Sequence, residues 1–449
     1  MKRIFITVIL IFSVLIQNVS ASVLGSVIKY SSKLPIGQGL TLYNNTFLSD
    51  QNGVGHQREY YTVYTPNTSA IPAVIGGDEI YGKRTATEAI NYMRENDMIP
   101  LVGINASFFS FETGIPMGHT INNKRVTSKD DRTLPAVGFR DDGTGHIGDL
   151  SILTVANFGE DYVLQIPHIN KFISKETQML TLFTPDFGEY TGTSTKTLNV
   201  VLTNISDQIR IGNEITCSVL KIFESDEPVK INDDEFILSV NINGNQWAIT
   251  LINTLVEGEE IKISTTANND LWDNIDSALA SEGERLINNG EVAKNLEAGA
   301  APRTAVGIKE NGDIIFYVLD GRRSGFSYGA KKETVAIRLK ELGCVDAINL
   351  DGGGSTTMAG IYPGCDETAI INSPSGNILR PVTNFIFLKN MTRPNGEPYM
   401  AYIYPYQGRI LSGSTVKLDV KTVDSNFYPI ENSGAAFSCN EYGLVDDEG

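Results

Sequence analysis

The sequence has 449 residues, of which 41% are hydrophobic and 20% are charged, a composition typical of a folded protein and not of a disordered chain. Fifty-three acidic residues outnumber 36 basic ones, so the formal net charge is −17. That charge repels a phosphate backbone and argues against general binding to nucleic acid. Because a single core rarely exceeds about 250–300 residues, we expect at least two domains.

The first 21 residues have the pattern of a secretory signal peptide. Lys2 and Arg3 give a positive start, residues 4–16 form an apolar run, and small residues fit a cleavage site after Ala21. The run is shorter than the ~20 residues of a membrane-spanning helix. An uncleaved membrane anchor is the alternative interpretation. We predict a secreted protein, extracellular or associated with the cell wall, with no membrane span after signal cleavage.

The next segments alternate between strand and helix patterns. Residues 22 to about 150 mix short strands with one helix over residues 85–94, where apolar side chains recur at helical spacing. From about 150 to 265, short apolar runs separated by Gly, Asp and Asn turns predict strands only. Residues 268–290 return to a helical pattern. The sequence then predicts strands at 304–308 and 313–319, an amphipathic helix over 331–342, and strands at 347–350 and 380–388.

After residue 390 a new series of short strands begins, and residues 416–420 alternate cleanly between polar and apolar side chains. This pattern is typical of an all-β sandwich of immunoglobulin type, of which only about 55 of the usual ~100 residues remain. We therefore predict a partial immunoglobulin-like β-sandwich over residues 393–449. We expect the chain to be a fragment cut within this accessory domain, with a short natural tail as the alternative.

The segment 349–356 carries the first chemical signal. A short buried strand delivers Asp351 at its carboxyl end, where open sheets place their ligands. Three glycines follow and free the backbone for positive φ, so that consecutive N–H groups can converge on an anion. A glycine-rich turn capped by the aspartate is the structural alternative. The candidate ligands of this segment are Asn349, Gly352, Gly353, Gly354, Ser355 and Thr356.

Arginines at other strand ends give the second signal. Arg322 and Arg323 follow Asp320 at the end of a strand, Arg303 precedes a hairpin, and Arg380 begins another strand. The planar guanidinium group offers a fork that suits phosphate oxygens. In an acidic chain this set indicates a local anion site, although each arginine taken singly is typical of a surface ion pair.

Both of these segments belong to a longer series of short motifs that extends over residues 60 to about 390. In chain order they are GINASFF at 103–109, PMG at 116–118, Asn170, YTGT at 190–193, PRTAVG at 302–307, DGR at 320–322, SYG at 327–329, NLDGGGSTTM at 349–358, NSP at 372–374 and RPVTN at 380–384. The ordered set resembles the phosphodiester glycosidase family. One motif alone is a weak signal, and the order makes the resemblance specific.

The resemblance implies a secreted hydrolase that cleaves the glycosidic bond of sugar-1-phosphodiesters and releases free sugar and a phosphomonoester. It also implies an α+β fold, with a mixed sheet core and packed helices over residues 22–392. The expected partner is a glycosyl phosphodiester or phosphoglycan, and no nucleic acid. No CxxC pair, HExxH or EF-hand loop occurs, so neither a metal site nor a cofactor is predicted, although a divalent cation bridging Asp351 and phosphate is left open.

The predicted roles follow from this reaction. Asp351 is the first candidate for the nucleophile or base at the anomeric carbon, and Asp320 is the second candidate or the group that orients Arg322. The arginines and the glycine amides would hold the departing phosphate. Sugar hydroxyls would bind Asn105 and His119, although a structural histidine is the alternative. The predicted substrate-binding set also includes Arg303, Arg380 and Asn384.

A non-catalytic extracellular protein that binds phosphoglycans or polysaccharides is the alternative function. The carboxylates at positions 320 and 351 favour the enzyme, because a binding protein has no need of them. The sequence identifies neither the sugar nor the group beyond the phosphate, and it does not distinguish inversion from retention.

Overall fold

The computed structural model describes residues 22–49, 55–159, 162–176, 179–280, 282–376, 378–406 and 413–431. The predicted signal peptide, residues 1–21, lies outside these ranges. Within them, no helix is both long and apolar enough to cross a membrane.

The N-terminal part supplies nine strands and one helix. The helix α1 (Ala86–Glu95) lies where the sequence predicts it, and its Thr85 and Glu88 side chains form a capping box. The strands are β1 (Val27–Gly37), β2 (Leu40–Ser49), β3 (Gly55–Tyr64), β4 (Ala70–Gly76), β5 (Ile99–Asn105), β6 (His119–Asn122), β7 (Arg125–Ser128), β8 (Leu134–Phe139) and β9 (Gly145–Leu150).

The middle part is rich in strands and contains one short helix, α2 (Gln246–Ile252). Its strands are β10 (Ile152–Phe158), β11 (Tyr162–Gln165), β12 (His168–Ile169), β13 (Leu180–Phe183), β14 (Thr197–Thr203), β15 (Asn213–Ser225), β16 (Phe236–Asn241) and β17 (Glu260–Ala267). They form one eight-stranded sheet in the order β11-β10-β17-β15-β14-β16-β13-β12.

The last part holds the helix α3 (Lys332–Glu341) and twelve described strands. These are β18 (Ser277–Ala280), β19 (Arg285–Asn288), β20 (Glu291–Val292), β21 (Arg303–Lys309), β22 (Ile314–Leu319), β23 (Cys344–Asn349), β24 (Met358–Ile361), β25 (Thr368–Ile370), β26 (Asn384–Asn390), β27 (Pro398–Tyr404), β28 (Asp419–Asp424) and β29 (Pro429–Ile430). The other sheets have the orders β1-β2-β3-β22-β21-β23-β19-β20, β7-β6-β18-β8-β9, β25-β24-β5-β26-β4 and β27-β28-β29.

The core lies between sheets. A large apolar cluster fills the space between the sheet that contains β22 and the sheet that contains β5. The helix α3 covers the opposite face of the first of these sheets, and α1 covers the opposite face of the second. The helix α2 packs against the sheet of the middle part.

The predicted α+β class with packed helices is wrong. Strands make up 48% of the structure and helices 9%, and the described residues contain only three α-helices. The segment 268–290, predicted to be helical, forms a short 3₁₀ turn followed by β18 and β19. All four residues of β18 are buried, and a strand buried on both faces lacks the period-2 alternation that separates it from a buried helix.

The C-terminal strands β27, β28 and β29 form one three-stranded sheet. Its residues Tyr402 and Val423 belong to the apolar cluster between the sheet that contains β22 and the sheet that contains β5. A sandwich needs a second facing sheet. The described part of this segment contains none, and residues 407–412 and 432–449 lie outside it, so the immunoglobulin-like sandwich is not shown. The domain boundary near residue 392 stays a prediction.

The topology brings two sheet edges together. The strand β21 pairs antiparallel with both β22 and β23, so β22 and β23 run parallel and end at the same edge. In the neighbouring sheet, β5 ends beside the first residues of β24 and β26. The Asp351 N–H donates to the Ala106 carbonyl at 2.9 Å, which joins the two edges.

Candidate functional site

Asp320 and Asp351 follow β22 and β23 directly, at one edge of the same sheet. One strand, β21, separates them, so their backbones lie on the order of 10 Å apart, twice the strand spacing. The two carboxylates predicted from the sequence to carry chemistry are therefore neighbours across the start of β21.

Asp351 is partly buried beside a hydroxyl and a guanidinium group. Burial raises the pKa of its carboxyl to about 6, although a Ser355 hydrogen bond, the Arg380 charge and the Gly352 N–H favour the ionised form. A carboxyl with a pKa in this range can serve as a general acid or base near neutral pH.

Asp320 is 1% exposed, and its carboxylate is already engaged. Oδ1 accepts from Asn372 Nδ2 at 2.9 Å and from the Ser373 N–H at 3.0 Å, and Oδ2 accepts from the same N–H at 3.1 Å. The buried Tyr60 hydroxyl also hydrogen-bonds to this carboxylate. Burial raises the pKa of Asp320 to about 6 despite these bonds. With so many partners, Asp320 is better suited to hold the loop at 372–373 than to reach a substrate.

Gly352 precedes a 3₁₀ turn formed by Gly353, Gly354 and Ser355, and the amides of this segment are partly used within the fold. The Gly353 N–H donates to the Pro302 carbonyl at 2.9 Å, and the Ser355 N–H donates to the Gly352 carbonyl at 3.2 Å. A Cβ at Gly353, where φ is +62°, would lie 3.1 Å from Arg322 Nη1. A Cβ at Gly354 would overlap the Arg380 guanidinium group. The glycines therefore let two guanidinium groups approach the backbone, a function that the sequence did not suggest.

The predicted arginines differ in their surroundings. Arg322 is exposed, and Arg380 Nη1 donates to Ser355 Oγ at 3.3 Å. Arg303 is 8% exposed, and its guanidinium group donates to the Ala330 carbonyl at 2.9 Å and to the Gly299 carbonyl at 2.6 Å. Burial lowers the pKa of Arg303. Arg322 and Arg380 thus both lie against the glycine turn, and Arg380 also lies close to Asp351.

The amide and hydroxyl side chains that were predicted to bind the substrate mostly form hydrogen bonds within the protein. Asn105 Nδ2 donates to the Asp351 carbonyl at 2.6 Å, while its Oδ1 accepts from Thr304 Oγ1 and from the Thr357 N–H. Asn384 Oδ1 accepts from the Ser107 N–H at 2.8 Å. Two further predicted ligands are Asn349, whose Nδ2 donates to the Leu350 carbonyl, and Thr356, whose hydroxyl lies 3.3 Å from Thr304 Oγ1.

His119 lies on β6, in a different sheet from β23, the strand that precedes Asp351. It is 1% exposed, and Nε2 lies 3.0 Å from the Arg132 carbonyl, while Nδ1 accepts from the Asp130 N–H at 3.1 Å. Burial lowers its pKa to about 4, so the ring is neutral. Both ring nitrogens are occupied by backbone groups, and a role in sugar binding stays a prediction.

Several side chains around the site were not among the predicted site residues. Tyr60 comes from β3, far away in the chain, and Asn372 and Ser373 bind Asp320. Phe111 is 70% exposed, with the Arg380 guanidinium carbon 5.4 Å from its ring centre. The NSP motif at 372–374 was a usable signal for the loop residues, whereas Tyr60 and Phe111 carry no local pattern that marks them.

One cluster among the described residues can bring metal-ligand atoms together. Atoms of Asp130, Asp131 and His168 lie within 4.8 Å of one another. Asp130 is also paired with Arg132 at 3.1 Å and lies 3.9 Å from Lys171, and these positive charges oppose a bound cation. The absence of a metal site and of a cofactor stays a prediction.

Residues 226–389 match the family model described as phosphodiester glycosidase, and this range contains both Asp320 and Asp351. The predicted resemblance to the phosphodiester glycosidase family is confirmed. The match includes the arginine segments, the glycine turn and the 372–374 loop. No curated protein matches the chain.

Solved structures with similar folds extend over more of the chain. A hypothetical protein from Synechocystis matches with a TM-score of 0.66 and 18% identity, over 80% of this chain and 64% of that one. A Burkholderia pseudomallei protein described as exported matches with a TM-score of 0.58 and 16% identity, over 75% of this chain and 74% of that one. At these identities the similarity concerns the fold alone.

The zebrafish N-acetylglucosamine-1-phosphodiester alpha-N-acetylglucosaminidase catalytic domain, auto-inhibited by its pro-peptide, also aligns. It covers 81% of this chain and 89% of that one, at 14% identity and a TM-score of 0.40. That score is too low to support an argument about the fold of this phosphodiester glycosidase-like chain.

Proposed function

We propose that this protein is an exported hydrolase that cleaves the glycosidic bond of sugar-1-phosphodiesters and releases free sugar and a phosphomonoester. The observation that supports this most is the position of the Asp351 carboxyl beside the glycine turn on which the Arg322 and Arg380 guanidinium groups pack. The family match over residues 226–389 includes this arrangement.

The chemistry fits the groups present. A phosphomonoester is stable as an anion, with a second pKa near 6, so it leaves without a strong general acid. Arg322 and Arg380 are suited to stabilise the charge that develops on the departing phosphate. Asp351 acts on the anomeric carbon as nucleophile or as base for water. Asp320 positions the loop at 372–373, and through it Arg323, whose guanidinium group donates to the Ser373 hydroxyl.

Product analysis tests the proposal directly. Purified protein is incubated with N-acetylglucosamine α-1-phosphomethyl ester and with the corresponding esters of other sugars, and both products are followed by NMR. Free sugar and methyl phosphate are expected. Sugar-1-phosphate and methanol would indicate P–O cleavage and a phosphodiesterase. No reaction across the panel would favour a phosphoglycan-binding protein.

The pH dependence should report the state of Asp351. A nucleophile or base must be ionised, so kcat/KM is expected to rise about tenfold per pH unit below about pH 6 and to level off above it. The measurement is a kcat/KM profile for the wild type and for Asp320→Asn, which should keep the same ascending limb. A fall in activity above pH 6 would instead assign Asp351 the role of general acid.

Gly354→Ala should weaken phosphate binding. The new methyl group would overlap the Arg380 guanidinium group and force it away from Ser355. Losing one charge-assisted contact costs about 1.5–3 kcal/mol, so the Kd for inorganic phosphate should rise about tenfold or more. Calorimetric titration measures the change, and circular dichroism checks that the variant is folded. An unchanged Kd would remove Arg380 from the anion site.

A further inference from the structure

Several arginines around Asp320 and Asp351 have no carboxylate partner. Elsewhere in the described part of the chain, six arginines pair with a carboxylate oxygen at 2.5–3.1 Å, namely Arg84, Arg125, Arg132, Arg210, Arg285 and Arg338. The arginines near the two carboxylates that have no described carboxylate within 4.0 Å include Arg58, Arg322, Arg323 and Arg380. Positive charges that stay close together repel each other, although a chain of net charge −17 has many acidic groups to pair with them. This concentration of positive charge indicates that anions bind here.

Phe326 holds two of these arginines on its ring. The guanidinium carbon of Arg58 lies 4.0 Å from the ring centre, and that of Arg323 lies 4.4 Å from it, so both form cation–π contacts. Arg58 Nε also donates to the Phe326 carbonyl at 3.3 Å, and Arg323 donates to the Ser373 hydroxyl. Both arginine side chains are only partly buried, so solvent reaches them. Two cations are thus held in fixed positions beside one ring.

The carboxylate of Asp320 does not form an ion pair with either of these arginines. Its oxygens accept from Asn372 and from the Ser373 N–H, and no guanidinium nitrogen lies within 4.0 Å of them. The Tyr60 hydroxyl is hydrogen-bonded both to Arg58 and to the Asp320 carboxylate, so it separates the two charged groups. The arginine charges act on Asp320 only at longer range. The two guanidinium groups therefore keep positive charge that can attract a ligand.

This pair of arginines lies on the same sheet edge as the candidate catalytic carboxyl. Arg58 belongs to β3, the neighbour of β22, and its carbonyl accepts from the Asp320 N–H at 3.0 Å. In the order β3-β22-β21-β23, three strand spacings separate Arg58 from the end of β23, on the order of 15 Å. Arg322 lies against the glycine turn, whereas the next residue, Arg323, joins Arg58. Two groups of arginines are therefore adjacent along one edge.

Two adjacent groups of arginines favour a ligand with two anionic groups. A single phosphate at Arg322 and Arg380 would leave the charges of Arg58 and Arg323 without a counterion, and the planar guanidinium fork suits phosphate oxygens. We propose that Arg58 and Arg323, stacked on Phe326, bind a second phosphate group of the substrate, which is therefore a chain with repeated phosphodiesters. This assignment rests on the proposed glycosidase function for its link to a reaction. Binding of the second phosphate can be measured without any turnover.

The test compares ligands that carry one or two phosphodiester groups. Alkanediols of four, six and eight carbons carry a methyl phosphodiester at each end, and dimethyl phosphate is the reference with a single group. These ligands contain no sugar, so a glycosidase does not cleave them. Titrations of the purified protein are followed by NMR of the ligand. At least one paired ligand should bind the wild type about tenfold more tightly than dimethyl phosphate, because it forms additional charge-assisted hydrogen bonds.

Arg58→Gln should remove this gain in affinity. The Kd of the paired ligand should rise about tenfold, and the Kd of dimethyl phosphate should change by a much smaller factor. Arg140→Gln is the matched control. Arg140 is also partly buried and donates to a backbone carbonyl, that of Leu271 at 3.0 Å, but it follows β8 in another sheet. Its substitution should leave both Kd values unchanged, and circular dichroism checks that both variants are folded.

Three results would overturn the second phosphate site. The first is equal affinity of the wild type for the paired ligands and for dimethyl phosphate. The second is an equal loss of affinity in Arg58→Gln and Arg140→Gln. The third concerns a ligand in which a carboxylate replaces one of the two phosphodiesters, because equally tight binding of this compound would reject phosphate as the second group.

A hydrolysis assay on the same wild-type preparation separates this inference from the proposed function. The substrate is N-acetylglucosamine α-1-phosphomethyl ester, together with the corresponding esters of other sugars. Binding of a paired ligand that depends on Arg58, without hydrolysis of any ester, would retain the second phosphate site and reject the glycosidase. Hydrolysis without any gain in affinity from a second phosphodiester would do the reverse.

Discussion

Asp351→Asn should lower kcat for a sugar-1-phosphodiester by about 10³-fold, because the amide can act neither as nucleophile nor as base. The substitution keeps the size of the side chain and an oxygen that accepts from Ser355, so the fold should persist. The measurement is kcat and KM by NMR of released sugar. The Kd of the variant for inorganic phosphate should change by a much smaller factor than kcat, because Arg322 and Arg380 are still present.

The informative comparison for this variant is Asp320→Asn. Asp320 accepts hydrogen bonds from Asn372 and Ser373, and an amide oxygen can still accept one of them. We therefore expect a smaller loss of activity than in Asp351→Asn. If Asp351→Asn retains wild-type turnover, the catalytic carboxylate must be another group, and Asp320 is the next to substitute.

Arg338→Met should lower the free energy of unfolding by about 3–5 kcal/mol, the usual effect of removing one partner of a buried ion pair. Glu59 is 0% exposed, and Arg338 binds its two carboxylate oxygens at 3.0 and 2.8 Å. Tyr317 and Asn45 also donate to Glu59. Without Arg338, a buried carboxylate would remain with only neutral donors. Urea unfolding followed by fluorescence measures the loss.

Two further variants identify the cause. Glu59→Gln combined with Arg338→Met removes the buried charge and keeps polar contacts, so it should recover part of the lost stability. Arg210→Met breaks an exposed pair with Asp207, in which both side chains are about 40% exposed, and should cost at most about 1 kcal/mol. Equal losses in Arg338→Met and Arg210→Met would show that burial of Glu59 does not determine the effect.

Local sequence patterns were sufficient to predict a structural feature where a single segment of the chain determines it. The helix α1 follows from apolar spacing and from the Thr85 and Glu88 cap, both of which lie within one stretch of chain. The positions of Asp320 and Asp351 at strand ends follow in the same way, from an apolar run that stops at a polar residue. The ordered motifs predicted the family for the same reason, because each motif is local.

Predictions failed where burial on two faces hides the periodicity. The strand β18 is buried at every position, so its sequence looks like part of a helix, and the excess of sheet over helix was missed with it. Local sequence also gave no indication of the hydrogen bonds of Arg303 and Asn105, which were predicted to bind the substrate. Both side chains are polar and near the site, but their bonds to Ala330, Gly299 and the Asp351 carbonyl depend on segments that are distant in sequence.

The sequence by itself determined which residue types are available for phosphate and acid–base chemistry, the strand ends that carry them, and the resemblance to a family. The tertiary structure alone decided that Asp351 is only partly buried, while Asp320 is fully buried and bonded to Asn372, Ser373 and Tyr60. It also decided that the glycines make room for Arg322 and Arg380. The physical reason is that the hydrogen-bond partners of these side chains, and the residues that bury them, come from strands far apart in the chain. Contacts between such strands produce no sequence pattern within any one segment.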